Sequence, residues 1–184
     1  AFWYGALAVI SVVTMTWGNL AALSSDNPKR VLAYSSVAHA GYMLAAVSAI
    51  GSGLADGPAS EMIVVAVLFH LCVLVLFKMG PFMVLSAIER EGGSHRVAGL
   101  NGLASRDPLL AASMFVFMLS LAGVPPFSGF LSKLLMLNGI VTVSAGTGGA
   151  ESLLSWATSV DPTFWLAVAI VLTSALSIFY YLRM

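Results

Sequence analysis

Five stretches of this chain are each long and apolar enough to cross a lipid bilayer. Runs free or nearly free of charge cover residues 1–25, 31–55, 62–88, 108–150 and 162–182, and a transmembrane helix needs about 20 largely apolar residues. Helices satisfy their own backbone groups and so tolerate lipid, which open strands and loops do not. Of the 184 residues 59% are apolar and 9% are charged, whereas a soluble domain carries about 25% charged residues. The chain is therefore expected to be a single all-α integral membrane domain over residues 1–184. Its spans are expected near residues 1–25, 30–52, 61–89, 108–143 (broken) and 162–183. The first and last runs read as mid-helix, so the chain is expected to be part of a longer subunit rather than a signal peptide with a domain.

Several functions are excluded at once. Eight Lys+Arg balance eight Asp+Glu, which gives neither a nucleic-acid partner nor a polybasic lipid patch. Cys72 is the one cysteine, so an internal disulfide, a CxxC pair and a cysteine-held metal or iron–sulfur centre are ruled out. No nucleotide-binding glycine loop occurs. Every Asp and Glu falls in a loop or at a span end, leaving no carboxylate pair, metal-ligand cluster or nucleophile triad within the spans.

The basic residues set an orientation. Lys29, Arg30, Arg90, Arg96, Arg106 and Arg183 fall on one side if each run crosses once. The opposite loops hold Asp56, Glu61, Glu151 and Asp161 without Lys or Arg. This positive-inside pattern predicts five crossings, the N-terminus outside and the C-terminus cytoplasmic. Residues 89–107 read as a solvated connection, and 151–158 as a short interfacial helix anchored by Trp156. Trp3, Trp17, Trp165, Tyr180 and Tyr181 read as interfacial belt residues.

Two lysines remain inside the membrane, Lys78 and Lys133. The fourth run is too long for one span: residues 108–140 would measure about 50 Å as an unbroken helix, against a hydrocarbon core of about 30 Å. Its middle reads Gly123-Val124-Pro125-Pro126-Phe127-Ser128-Gly129. Pro125 and Pro126 lack backbone donors, so the carbonyls of Leu121 and Ala122 lose their helical partners. Such a break at membrane depth is tolerated only where protein or water satisfies the freed groups. Discontinuous helices often mark ion or substrate sites, although a proline kink also serves packing.

Lys133 lies about two turns past the break, too deep for easy snorkelling. A centred lysine costs about 2.5–3.5 kcal/mol on insertion scales. Away from water a lysine can take up and release a proton, which a surface lysine does poorly. Permanent pairing is the alternative. Lys78 follows His70 by eight residues, about 12 Å along a helix and in the same quadrant. One bridging water or side chain is expected to connect them. Histidine passes protons well near neutral pH, and the lysine downstream favours a functional His70. His39 sits among small residues in Ser35-Ser36-Val37-Ala38-His39-Ala40-Gly41, where packing and function are both open. The Met79-Gly80-Pro81-Phe82 run is expected to loosen its helix.

Three segments together carry a family resemblance. Residues 27–42, with Lys29-Arg30-Val31-Leu32-Ala33-Tyr34-Ser35-Ser36 followed by His39-Ala40-Gly41-Tyr42, resemble a signature of the antiporter-like membrane subunits of respiratory complex I. The run Leu119-Ser120-Leu121-Ala122-Gly123-Val124-Pro125-Pro126, ending Gly129-Phe130-Leu131-Ser132-Lys133, resembles the broken helix of that family. Ser174-Ala175-Leu176-Ser177-Ile178-Phe179-Tyr180-Tyr181-Leu182-Arg183 resembles a run typical of its N-type members. In contrast, Phe69-His70-Leu71 with Phe77-Lys78 is closer to L-type members and to multisubunit Na+/H+ antiporters. The resemblance implies a fourteen-helix fold built on two inverted five-helix repeats, of which this chain is the second. It implies that Lys133 is the ionisable residue of one half-channel and that Lys78 and His70 feed a central hydrophilic axis. The essential Glu and Lys of the first repeat would lie outside this chain.

The expected function is proton translocation within a quinone-reducing respiratory complex in a prokaryotic cell membrane. Lys78 and Lys133 would alternate between charged and neutral forms, with His70 and water passing protons between them. No cofactor is expected on this chain. NADH or another donor, flavin, iron–sulfur clusters and quinone would belong to partner subunits, and its own partners would be other membrane subunits and the bilayer. A multisubunit Na+/H+ antiporter subunit is the first alternative, and a structural membrane scaffold the second.

Overall fold

A computed structural model describes residues 2–53, 55, 57–90, 92, 96–145 and 162–184. Within them run α1 (Phe2–Ser24), α2 (Pro28–Ile50), α3 (Gly57–Arg90), a 3-10 turn (Val97–Leu100), α4 (Leu103–Arg106), α5 (Pro108–Ala122), α6 (Ser128–Ala145) and α7 (Pro162–Arg183). No strand occurs among the described residues. The helices α1, α2, α3 and α7 are long and apolar enough to cross a membrane, and α5 and α6 are shorter apolar helices. The interfacial helix expected at 151–158 lies outside the described residues.

Local chemistry explains the helix boundaries. The Asn27 side chain caps α2 by accepting from the backbone N–H groups of Lys29 and Arg30, with Pro28 in the first turn. Asp107 does the same for α5, accepting from Leu109 and Leu110 ahead of Pro108. That helix ends at Gly123, whose φ of 82° suits glycine. Gly123 N–H donates to the Ser120 carbonyl and Val124 N–H to the Leu119 carbonyl, which closes the helix end. The chain then passes the cis Pro125-Pro126 bond and restarts as α6 at Ser128. The fourth apolar run is thus two helices.

Helix α3 begins at Gly57, ahead of the expected residue 61, and remains one helix to Arg90 through the buried Pro81. The expected loosening at 79–82 therefore does not interrupt it. Gly80 instead admits the Phe117 ring of α5, since a Cβ there would lie 2.2 Å from a ring carbon. Close approach also sets the α1–α2 contact: a Cβ on Gly18 would meet the Ala38 nitrogen at 2.6 Å, and one on Gly41 the Met15 nitrogen at 2.6 Å. Without a hydrophobic drive between helices in lipid, such small-residue contacts hold the pair.

Two apolar clusters stack along the bundle. One contains Met15, Tyr42, Ala45, Ile63, Met136, Ile140 and Ile170. The other contains Leu32, Leu74, Leu85, Met118, Leu121, Tyr180 and Tyr181. At the far end of the second cluster the charged residues gather. Lys29 pairs with Glu89 at 2.5 Å, and Arg183 pairs with Asp26. The Asp26 carbonyl also accepts from the Val97 N–H, and Arg106 donates to the Gly99 carbonyl at 3.1 Å. The ends of α1, α3 and α7 and the starts of α2 and α5 therefore share one end of the bundle. Residues 97–103 are not a simple solvated connection: Val97, Leu100 and Leu103 are buried, tucking this segment under the helices.

Candidate functional site

Between the two apolar clusters lies a polar layer. His39 and His70 are each 2% exposed, Lys78 7% and Lys133 6%, between clusters that are mainly aliphatic and aromatic. Such groups are expensive at membrane depth unless each donor and acceptor is met.

The two histidines meet directly. His39 Nδ1 lies 3.0 Å from His70 Nε2, and their ring centroids are 5.1 Å apart. His39 Nε2 lies 3.2 Å from the Tyr181 hydroxyl of α7, and His70 Nδ1 lies 2.9 Å from the Ser132 hydroxyl of α6. The Ser132 hydroxyl donates to the Gly129 carbonyl at 3.0 Å. That last bond fixes the rest when both rings are neutral. Ser132 must accept from His70 Nδ1–H, so His70 Nε2 accepts from His39 Nδ1–H and His39 Nε2 accepts from Tyr181. The hydrogen bonds thus run in one direction, Tyr181 to His39 to His70 to Ser132, across α7, α2, α3 and α6.

Among the described residues no single side chain bridges Lys78 to His70. Its ammonium turns to α2, donating to the Leu32 carbonyl and the Ser35 hydroxyl at 2.8 Å each and to the Ser36 hydroxyl. The Ser35 hydroxyl itself donates to the Leu32 carbonyl at 2.8 Å, so Lys78 is held on α2. Lys133 follows Ser132 in sequence and donates to the Leu121 carbonyl (3.3 Å), the Ala122 carbonyl (3.1 Å) and the Ser174 hydroxyl (2.9 Å). The two carbonyls freed by Pro125 and Pro126 are therefore met by a lysine. Its ammonium also lies 5.8 Å from the centre of the Tyr42 ring.

The broken-helix residues build this arrangement. Gly123 lies against the lysine, since a Cβ there would stand 3.2 Å from Lys133 Nζ. At Gly129 a Cβ would sit 1.7 Å from the Ser120 carbonyl oxygen, so only glycine lets the start of α6 rest on α5. Each lysine has three acceptors for its three protons. Among the described residues neither is paired with a carboxylate. Neutral acceptors suit both the ammonium and the amine, whereas a buried carboxylate would hold the charge in place.

Other members of this layer carry no clear signal in the sequence. Tyr180 and Tyr181 are buried instead of lying in an interfacial belt, because their hydroxyls find partners inside. Tyr180 donates to the Asn19 side-chain carbonyl at 3.0 Å, and Asn19 donates to the Tyr42 hydroxyl at 2.9 Å and the Met15 carbonyl at 2.7 Å. Trp3, Trp17 and Trp165 are exposed, as belt residues are. Among the described residues no group of three or more His, Cys, Asp or Glu is arranged to hold a metal.

Residues 1–158 match the protein family described as NADH:quinone oxidoreductase/Mrp antiporter, transmembrane. The chain is 40% identical over 183 residues to NADH-quinone oxidoreductase subunit N of Chloroflexus aggregans, covering 99% of this chain and 32% of that protein. It is 39% identical over 184 residues to subunit N 2 of Sorangium cellulosum, covering 99% and 31%. The chain thus spans about a third of the length of these relatives. Among solved structures, respiratory complex I of Thermus thermophilus with bound aureothin holds a chain similar at a TM-score of 0.69 and 35% identity, over 97% of this chain and 34% of that one. The Mrp complex from Dietzia sp. holds one similar at 0.77 and 28% identity, over 98% and 29%.

Proposed function

Because this chain belongs to the NADH:quinone oxidoreductase/Mrp antiporter transmembrane family, we propose that it is the second inverted repeat of an N-type, proton-translocating subunit in a quinone-reducing respiratory complex. The observation that carries this function is the buried run of Tyr181, His39, His70 and Ser132 with Lys78 and Lys133 at its flanks. A membrane scaffold has no use for two lysines held by neutral dipoles, and groups of this kind in a bilayer commonly form proton relays.

In this account a proton resides on Lys78 or Lys133 and crosses between them through the paired imidazoles. The relay uses only proton transfers, each forming one N–H or O–H bond as the next breaks. Moving a proton against 100 mV costs about 2.3 kcal/mol, so the drive comes from outside the chain. NADH or another donor, flavin, iron–sulfur clusters and quinone would act on partner subunits, coupled to this one through the membrane arm. The helices α5 and α6 together make the fourth of five crossings, with the charged end cytoplasmic, the N-terminus outside and the bilayer that of a prokaryotic cell membrane. The gathering of Lys29, Arg106 and Arg183 at one end supports that orientation.

A native gel of gently solubilised membranes, made with the tagged full-length parent and stained for donor dehydrogenase activity, tests the assignment. Co-migration with a large dehydrogenase-active assembly is expected. A smaller, redox-silent assembly would move the assignment to a cation/proton antiporter, a second reading favoured by the higher TM-score to the Mrp complex. A sodium-dependent pH change in vesicles, insensitive to quinone-site inhibitors, would then be diagnostic.

A further inference from the structure

Besides its three oxygen acceptors, the Lys133 ammonium faces an aromatic ring. It stands over Tyr42 at 5.8 Å from the ring centre, within the distance of about 6 Å at which the negative face of a ring attracts a cation. Both residues are buried, and desolvation strengthens such a contact. The ring is held from its far end. Asn19 of α1 donates to the Tyr42 hydroxyl at 2.9 Å, and is itself fixed by donating to the Met15 carbonyl and accepting from Tyr180. Gly41, the residue before Tyr42, rests so closely on α1 that a Cβ there would meet the Met15 nitrogen at 2.6 Å. Helix α1 supplies no member of the histidine row, yet it fixes this ring. The same ring also meets the histidines: its centroid is 5.5 Å from that of His39, at an interplanar angle of 81°, an edge-to-face packing. Lys133 and His39 therefore lie against one immobilised side chain.

We propose that Tyr42 is a positioning residue for proton translocation, its ring face holding the proton-loaded head of Lys133 in register with the histidine pair. It acts by electrostatic attraction and passes no proton, since its hydroxyl is engaged by Asn19. The oxygen acceptors around Lys133 accept from an amine and an ammonium alike, whereas the ring face attracts only the charged head. The ring is thus the part of the site that responds to whether the lysine is loaded. This role rests on the translocation function proposed above.

The test uses the full-length parent in its native assembly. Tyr42→Leu, which removes the ring, is expected to slow proton translocation about thirtyfold, the measure of a desolvated cation–π contact. Tyr42→Phe, which keeps the ring and loses the hydroxyl, is expected to stay within about threefold of the unaltered rate. Mono-, di- and trifluorinated phenylalanine installed at position 42 are expected to slow translocation step by step below Tyr42→Phe, because each fluorine draws charge from the ring face with little change of shape. Trifluorinated phenylalanine in place of Phe179, 67% exposed on α7, is the control and is expected to be without effect. A ring that serves packing alone is indifferent to fluorine, so a flat series overturns the proposal, as does full translocation in Tyr42→Leu. Should the variants lacking the hydroxyl fail to assemble, mono- and difluorinated tyrosine carry the series against the unaltered protein, and a flat result again overturns it. Lys133→Met separates the two proposals. If it translocates normally, the relay function falls and the role of Tyr42 with it; if it is inactive while the fluorine series is flat, only the role of Tyr42 falls.

Discussion

His39 Nδ1 lies 3.0 Å from His70 Nε2, joining α2 to α3 at a depth where neither ring has water to turn to. Each ring spends its other nitrogen on a third helix, Tyr181 of α7 or Ser132 of α6. Four helices are therefore tied together by one row of side chains, and the row has a direction because the Ser132 hydroxyl donates to the Gly129 carbonyl.

The pair should behave as a unit. Removing one histidine leaves the other with an unmet buried group, at about 1–3 kcal/mol. The double replacement His39→Phe with His70→Leu is expected to cost less than the sum of the singles, with an interaction energy of about 0.5–3 kcal/mol. Thermal unfolding of the purified assembly checks this, and strict additivity would show that the rings do not share a bond.

Lys133→Met separates stability from transport. The substitution strips the Leu121 and Ala122 carbonyls of their donor but also removes a buried ammonium that has no carboxylate partner among the described residues. These effects oppose one another, and replacing buried charge by an apolar side chain of similar size is often near neutral. The expected change in unfolding free energy is within about 1 kcal/mol. A loss of assembly would mean that the lysine mainly pins the broken helix.

Gly129→Ala should be severe, because its Cβ would lie 1.7 Å from the Ser120 carbonyl oxygen and backbone has to move. A loss of about 3 kcal/mol or more is expected, at the top of the range for overpacking. Gly5→Ala is the matched control. Nothing lies within 4 Å of its Cβ, so the helix should gain about 0.5–1 kcal/mol. Circular dichroism melts of the two variants should diverge in sign.

At the charged end, Lys29→Ala should cost little. Lys29 and Glu89 retain 41% and 24% side-chain exposure, and exposed pairs are worth about 0–1 kcal/mol. Raising the salt concentration should erase what difference remains. A larger, salt-resistant loss would mean that this pair fixes the α2–α3 geometry.

The sequence was most legible where physics allows few solutions. Two adjacent prolines in an apolar run forecast the break and identify the orphaned carbonyls of Leu121 and Ala122, whereas Lys133 as their donor is visible only in the structure. Lys78 and Lys133 stood out because a charge in lipid is costly wherever it points. The rest depended on which helix faces which. Tyr181 and His39 are 142 residues apart in sequence, and nothing local brings them together. Asn19, Ser35 and Ser132 are small, neutral and common in membrane helices, where they often serve only packing. Their role is visible only from the hydrogen bonds they make. Tyr180 and Tyr181 near a helix end matched the interfacial pattern, and only the bundle's packing reveals that their hydroxyls turn inward to Asn19 and His39.

The most direct test measures protons moved per electron in inside-out vesicles carrying the full-length parent, with Lys133→Met beside the unaltered protein at matched assembly. If protons cross this chain through the buried lysines and histidines, the ratio falls sharply in the variant. An undiminished ratio would contradict the account and leave Lys133 as a structural donor to the broken helix.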